Sequence, residues 1–250
     1  MSTVNMAVAC SLDFYEKGTT VKYFLRHRLL TFVPYRLGWT ICWFAYRFSG
    51  WRIDVFGAEK LPKRGPVIYA ANHLEFHDSI ALGLHARRQL SFLAKSEYFN
   101  KGSLMGLLVT IGFLLIGQIS TDRSGGKAGN ALDEASEVLS HGDAVGWHFE
   151  GTRSPDGLLY DAHTSFARVA QATEAIVVPV AFVYPADKLV EVHFGDPIAY
   201  SVLKRLKPYE VAELVVTRVQ EMSGQQRAGK KATVGRKIGQ AILDVFKKSE

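Results

Sequence analysis

The stretch Pro66-Val67-Ile68-Tyr69-Ala70-Ala71-Asn72-His73-Leu74-Glu75-Phe76-His77-Asp78 decides how this chain is read. Pro66–Ala71 is uncharged and rich in β-branched and aromatic residues, the pattern of a strand covered on both faces. The following residues turn polar, and helix-like sequence runs from Asp78 to Ala86. In open α/β sheets, ligands gather where such strands give way to helices. Fold and candidate site are therefore read from one segment.

Working outward, strand-like and helix-like segments alternate. Arg52–Phe56 reads as a short strand, and Gly57–Pro62 as a turn. Leu90–Ala94 is a further apolar strand, residues 103–111 suggest a helix, and 113–119 suggest a strand. Gly126–His141 carries Ala128, Ala131, Leu132, Ala135, Val138 and Leu139 at helical spacing, with Gly142 where a C-cap belongs. Ala144–Phe149, Ile176–Val183 and Val190–Phe194 read as strands, and His163–Thr173 and Pro208–Ser223 as helices. A Gly-Gln-Gln-Arg-Ala-Gly linker leads to a basic helix near Val234–Lys248. This alternation predicts an α/β fold, a largely parallel or mixed sheet flanked by helices. The predicted organisation is an N-terminal helical segment (1–50), a central domain (51–225) and a basic C-terminal helix (226–250).

The net charge of +6 sits at the ends of the chain. Lys17, Lys22, Arg26, Arg28, Arg36, Arg47 and Arg52 occur with no acid between Lys17 and Ile53. Seven more basic residues face only Asp244 and Glu250 after Gln225. Basic ends attract polyanions, either nucleic acid or anionic lipid. The N-terminal cluster is interleaved with Tyr23, Phe24, Phe32, Tyr35, Trp39, Trp43, Phe44, Tyr46, Phe48 and Trp51, which favours a membrane interface over nucleic acid. Its longest uncharged run, Leu37–Tyr46, is ten residues, half of the roughly 20 that a bilayer crossing needs. The segment is therefore expected to lie on or dip into the cytoplasmic face of a membrane. Packing on the protein itself is the alternative. Gly102–Thr121 is long enough to span but is broken by Gly102, Gly106, Gly112 and Gly117, so it reads as a helix, a turn and a core strand. No cleavable signal peptide is evident. Cys10 and Cys42 suggest neither a disulfide framework nor a metal cluster.

Three polar clusters carry candidate chemistry. His73 and Asp78 are close enough for a carboxylate to hold one imidazole nitrogen and leave the other to accept a proton. That service is what a hydroxyl needs to attack a thioester. His73 and His77, four apart, invite a metal reading, but no third ligand joins them. Glu150-Gly151-Thr152-Arg153-Ser154 follows a strand and offers hydroxyls and a guanidinium fork suited to phosphate; a polar turn with a solvated arginine reads equally well. Gly117–Arg123 leads into Ser124-Gly125-Gly126 ahead of a helix, a place for a phosphate or for a simple cap by Asp122.

The order of these clusters resembles the glycerolipid acyltransferase family of the 1-acylglycerol-3-phosphate acyltransferase (lysophosphatidic acid acyltransferase) type. Asn-His-x4-Asp is met at Asn72, His73 and Asp78, and Gly-x-Ile-x-x-x-Arg at Gly117, Ile119 and Arg123. Phe-Pro-Glu-Gly-Thr-Arg-Ser is met at Glu150–Ser154, and an apolar Val-Pro-Val run at Val178–Val180. The resemblance implies that His73 is the general base and Asp78 its orienting partner. It implies that Arg123 and Arg153 clamp an acceptor phosphate, with Glu150, Gly151, Thr152 and Ser154 shaping that pocket. It further implies no metal, no cofactor and no acyl-enzyme. An acyl-CoA or acyl-carrier protein would donate a fatty acyl group to lysophosphatidic acid, giving phosphatidic acid. The chain departs from the pattern at His148, at Phe149 (usually proline) and at Asp161–Ser165 (usually basic). These changes keep another lysophospholipid, a glycolipid or another alcohol open as acceptor, and also a non-catalytic lipid-binding role.

Overall fold

The computed structural model describes residues 32–95, 119–121 and 128–232. The first 31 residues, the expected helix at 103–111, most of the expected strand at 113–119, Arg123 and the basic helix near Val234–Lys248 lie outside the described residues.

Seven strands form one sheet: β1 (Arg52–Phe56), β2 (Val67–Ala71), β3 (Leu90–Lys95), β4 (Ile119–Thr121), β5 (Ala144–His148), β6 (Ile176–Ala186) and β7 (Leu189–Phe194). Their order is β1-β7-β6-β2-β5-β3-β4. Every neighbouring pair is parallel except β6 with β7, so the sheet is mixed. β2 lies between β5 and β6 with all five residues buried, which is why its sequence carries no polar alternation.

The helices are α1 (Phe32–Phe48), α2 (His77–His85), α3 (Ala128–Ser140), α4 (Ser165–Ala172), a single turn α5 (Tyr200–Leu203) and α6 (Pro208–Ser223). The pleat of β2 divides the core. Ile68 and Ala70 pack with Val138 and Leu139 of α3, Phe166 of α4, and Val215 and Val219 of α6. Val67, Tyr69 and Ala71 face the other way, toward Leu82 of α2, Val192 of β7 and Trp39 of α1. Helices α1 and α2 approach closely at Gly83, where an added Cβ would lie 2.0 Å from the Trp39 ring.

The observed elements begin and end within a residue or two of the expected ones, except that β6 runs on to Ala186 rather than stopping at Val183 and that β4 is described over Ile119–Thr121 where a strand over 113–119 was expected. The short helix α5 was not expected. α1 buries Tyr35 and Tyr46 and exposes Leu37, Ile41, Phe44 and Phe48. Among the described residues, no helix is long and apolar enough to cross a membrane.

Candidate active site

β2, β5 and β6 all run in the same direction, and the last residue of β2, Ala71, pairs with the last residue of β5, His148, on one side and with Val180 in the middle of β6 on the other. The chain leaves β2 at Asn72, whose side chain imitates a strand residue. Its Nδ2 donates to the Phe182 carbonyl at 3.1 Å, and its Oδ1 accepts from the Phe182 N–H at 2.8 Å. Asn72 thus fixes the point from which His73 projects.

Asp78 sits in the first turn of α2 and is fully buried. Its Oδ2 accepts from the N–H groups of Leu74 (2.6 Å) and Glu75 (2.9 Å) and lies 2.9 Å from Nδ1 of His73. Oδ1 accepts from the Tyr184 hydroxyl at 2.5 Å. A carboxylate oxygen crowded by donors can only accept, so Nδ1 of His73 carries the hydrogen and Nε2 keeps a lone pair. Burial pushes the Asp78 carboxyl above the usual range, while His148, Tyr184 and the two N–H groups pull it back. The His73 side chain is 19% exposed and that of Asp78 fully covered, so the imidazole reaches the surface and the carboxylate does not.

Glu150, just beyond β5, is also fully buried. The sequence places it among pocket-shaping residues; the structure sets its carboxylate beneath the loop, bonded to backbone. Oε1 accepts from the His73 N–H at 2.9 Å and Oε2 from the Tyr160 N–H at 3.1 Å. Burial raises its pKa to about 7 despite these bonds. The Ser154 N–H donates to the His73 carbonyl at 2.7 Å, so the 150–154 loop holds His73 by both backbone groups.

The rest of that loop is placed as follows. Gly151 has φ +76°, a backbone conformation that favours glycine, and a Cβ there would come within 3.0 Å of the His163 ring. The Ser154 hydroxyl donates to Asp156 at 3.2 Å. Thr152 and Arg153 are half-buried, and Arg153 forms no ion pair among the described residues. Val178–Val180 is buried in β6, beneath the site. His77 points away from His73: its Nδ1 is bonded to the Tyr46 hydroxyl, and its ring lies 4.0 Å from that of Trp51. Desolvation lowers its pKa.

Two residues that meet the His73–Asp78 pair, Tyr184 on Asp78 and His148 on His73, carried no site signal in the sequence. Tyr184 is distant in sequence and sits at the far end of β6. His148 registered only as an unusual residue. Its ring stacks on that of His73 at a centroid distance of 3.8 Å and an angle of 15°. Only the parallel pairing of β2 with β5 brings the two together.

Residues 52–183, just over half of the chain, match the family model described as Acyltransferase. Over 172 residues the chain is 28% identical to a 1-acyl-sn-glycerol-3-phosphate acyltransferase of Chlamydomonas reinhardtii, covering 65% of this chain and 49% of that protein. Over 134 residues it is 29% identical to a chloroplastic 1-acyl-sn-glycerol-3-phosphate acyltransferase of Arabidopsis thaliana, covering 52% and 35%. The chain thus spans half or less of the length of these curated relatives. Among solved structures it resembles the 1-acyl-sn-glycerophosphate acyltransferase PlsC of Thermotoga maritima. The TM-score is 0.59 and the identity 22%, with 83% of this chain and 89% of that one covered, a likeness of fold.

Proposed function

This chain belongs to the acyltransferase family, and from that premise we propose that it moves a fatty acyl group from an acyl-CoA or acyl-carrier protein thioester to the free hydroxyl of lysophosphatidic acid. The observation that carries the reading is the contact of His73 Nδ1 with the buried Asp78 carboxylate at 2.9 Å. With Nδ1–H committed to Asp78, Nε2 is the atom left to take a proton. It removes the acceptor hydroxyl proton as that oxygen attacks the thioester carbonyl. The tetrahedral adduct then collapses, the C–S bond breaks, and the proton passes to the departing thiolate. Asp78 stabilises the imidazolium formed in between.

Arg153, half-buried on the loop latched to His73, would hold the acceptor phosphate through its planar fork, with Arg123 as the second clamp. Thr152 and Gly151 would line the same pocket. The relatives' names support this acceptor, as does the nearness of a guanidinium-bearing loop to the base. The exposed side chains Leu37, Ile41, Phe44 and Phe48 recur at helical spacing on α1, with Arg36 and Arg47 also exposed. They would seat the enzyme on the cytoplasmic face of the membrane that holds its lipid substrates. In this reading 1–50 is the membrane-associated segment, 51–225 the catalytic domain and 226–250 a basic tail.

The test uses purified, detergent-solubilised protein with acyl-CoA and a panel of acceptors with and without phosphate. We expect turnover with lysophosphatidic acid and its loss in His73→Ala. Undiminished turnover in that variant removes His73 as base. Equal rates with phosphate-free alcohols remove the phosphate clamp.

A further inference from the structure

We propose that His148 is a positioning residue for His73, a flat plate that holds the plane of the base. The proposal rests on the acyl-transfer reading above and concerns the same site. The contact of Nδ1 with Asp78 fixes one point of the His73 ring, and turning of the ring about that point would carry Nε2 off its target. His148 blocks the motion by lying nearly parallel to the His73 ring at 3.8 Å.

The plate is itself fixed at both nitrogens. Nδ1 lies 2.9 Å from the Asn72 carbonyl and Nε2 2.9 Å from the Ser79 hydroxyl. A carbonyl only accepts, so Nδ1 carries the hydrogen, while Nε2 meets the Ser79 hydroxyl, which can donate or accept. Phe92 and Phe182 flank it at 6.4 and 6.2 Å between ring centroids. The partners of His148 come from four elements: Asn72 at the end of β2, Ser79 on α2, Phe92 on β3 and Phe182 on β6. His148 itself ends β5, directly opposite Ala71 in the register of β2. His73 follows β2 by two residues and His148 ends β5, so the pairing of these neighbouring strands brings base and plate side by side.

The experiment compares full-length parent protein with His148→Phe, His148→Gln and His148→Ala in detergent, reading kcat, both KM values and the melting temperature. In His148→Ala we expect kcat to fall about tenfold or more with each KM within about threefold, because small errors in placing a catalytic group are costly. His148→Phe, which keeps a flat ring, should recover most of the loss, and His148→Gln, which keeps polar atoms but no ring face, should not. An unchanged kcat in His148→Ala, or rescue by Gln equal to that by Phe, overturns the proposal. Imidazole 15N shifts of His73, recorded without substrate, provide a second readout. One Nδ1–H tautomer in the parent and a mixture in His148→Ala support the plate, whereas identical spectra overturn it. Should the parent fail to acylate lysophosphatidic acid, the acceptor reading falls while the spectra still decide the role of His148.

Discussion

The Tyr184 hydroxyl donates to Oδ1 of Asp78 at 2.5 Å, so a side chain from the end of β6 grips the oxygen of the carboxylate that His73 does not use. Burial and the nearby Asp78 charge raise the phenol's pKa well beyond its usual value, which keeps it a donor. Hydrogen bonds to charged groups contribute about 1.5–3 kcal/mol. Tyr184→Phe removes the donor with little change of shape. We expect kcat to fall by roughly ten- to a hundredfold with little change in either KM. Steady-state kinetics at saturating substrate check this, and an unaltered kcat would mean that the remaining donors hold Asp78 unaided.

Arg153 lies on the loop whose Ser154 N–H meets the His73 carbonyl. If its guanidinium holds the acceptor phosphate, Arg153→Ala raises KM for lysophosphatidic acid by about tenfold to a hundredfold, the equivalent of a lost charge-assisted bond. Arg153→Lys restores only part, since an ammonium cannot match a planar fork. The KM for acyl-CoA serves as the internal control, and a rise in that constant alone would move Arg153 to the donor site.

Glu150 gives the fold a pH dependence with a defined sign. Its pKa of about 7 in the folded chain stands above the ordinary 4.5, chiefly through burial. Between those values the folded chain holds a proton that the unfolded chain has lost. The stabilisation is therefore complete below about pH 4.5 and is lost as pH rises through about 7, with an upper limit of about 3 kcal/mol. Glu150→Gln cannot titrate, and its amide presents an N–H to one of the two backbone donors. We expect the variant to melt lower than the parent at pH 5, with a smaller fall between pH 5 and 8. Parallel melting curves across that range would contradict the assignment.

Much of this was legible in the sequence because local chemistry coincides with the fold. The uncharged run Val67–Ala71 could only be a covered strand, and Asp78 follows His73 closely enough for a turn to join them. The mixed sheet and the strand-to-helix placement of His73 followed from such runs. What stayed hidden depends on neighbours far apart in the chain. The stacking of His148 on His73 arises from the β2–β5 register, and the bond from Tyr184 to Asp78 from the β6 crossover. Glu150 was legible as part of a motif, yet its role was not, because nothing in the order of residues shows that its oxygens face the N–H groups of His73 and Tyr160. The β1–β7 edge pair likewise joins the start of the domain to its later half.

The outer face of α1 offers the last prediction. Leu37, Ile41, Phe44 and Phe48 recur at three- and four-residue steps and are 59%, 60%, 48% and 82% exposed, while Tyr35 and Tyr46 on the opposite face are buried against the domain. A soluble protein gains nothing from four aligned apolar side chains in water, whereas a bilayer surface accepts them readily. Replacing Phe44 and Phe48 by serine removes roughly 1–2 kcal/mol of apolar transfer at each site. Affinity for vesicles of phosphatidylcholine with anionic lipid should drop about thirtyfold or more, with salt weakening the remainder through Arg36 and Arg47. Both phenylalanines lie outside the buried core, so the melting temperature should hold. Co-sedimentation with vesicles measures the effect. Undiminished binding by the double variant would show that the helix face is covered by the protein itself, and the seat on the membrane would have to be sought elsewhere.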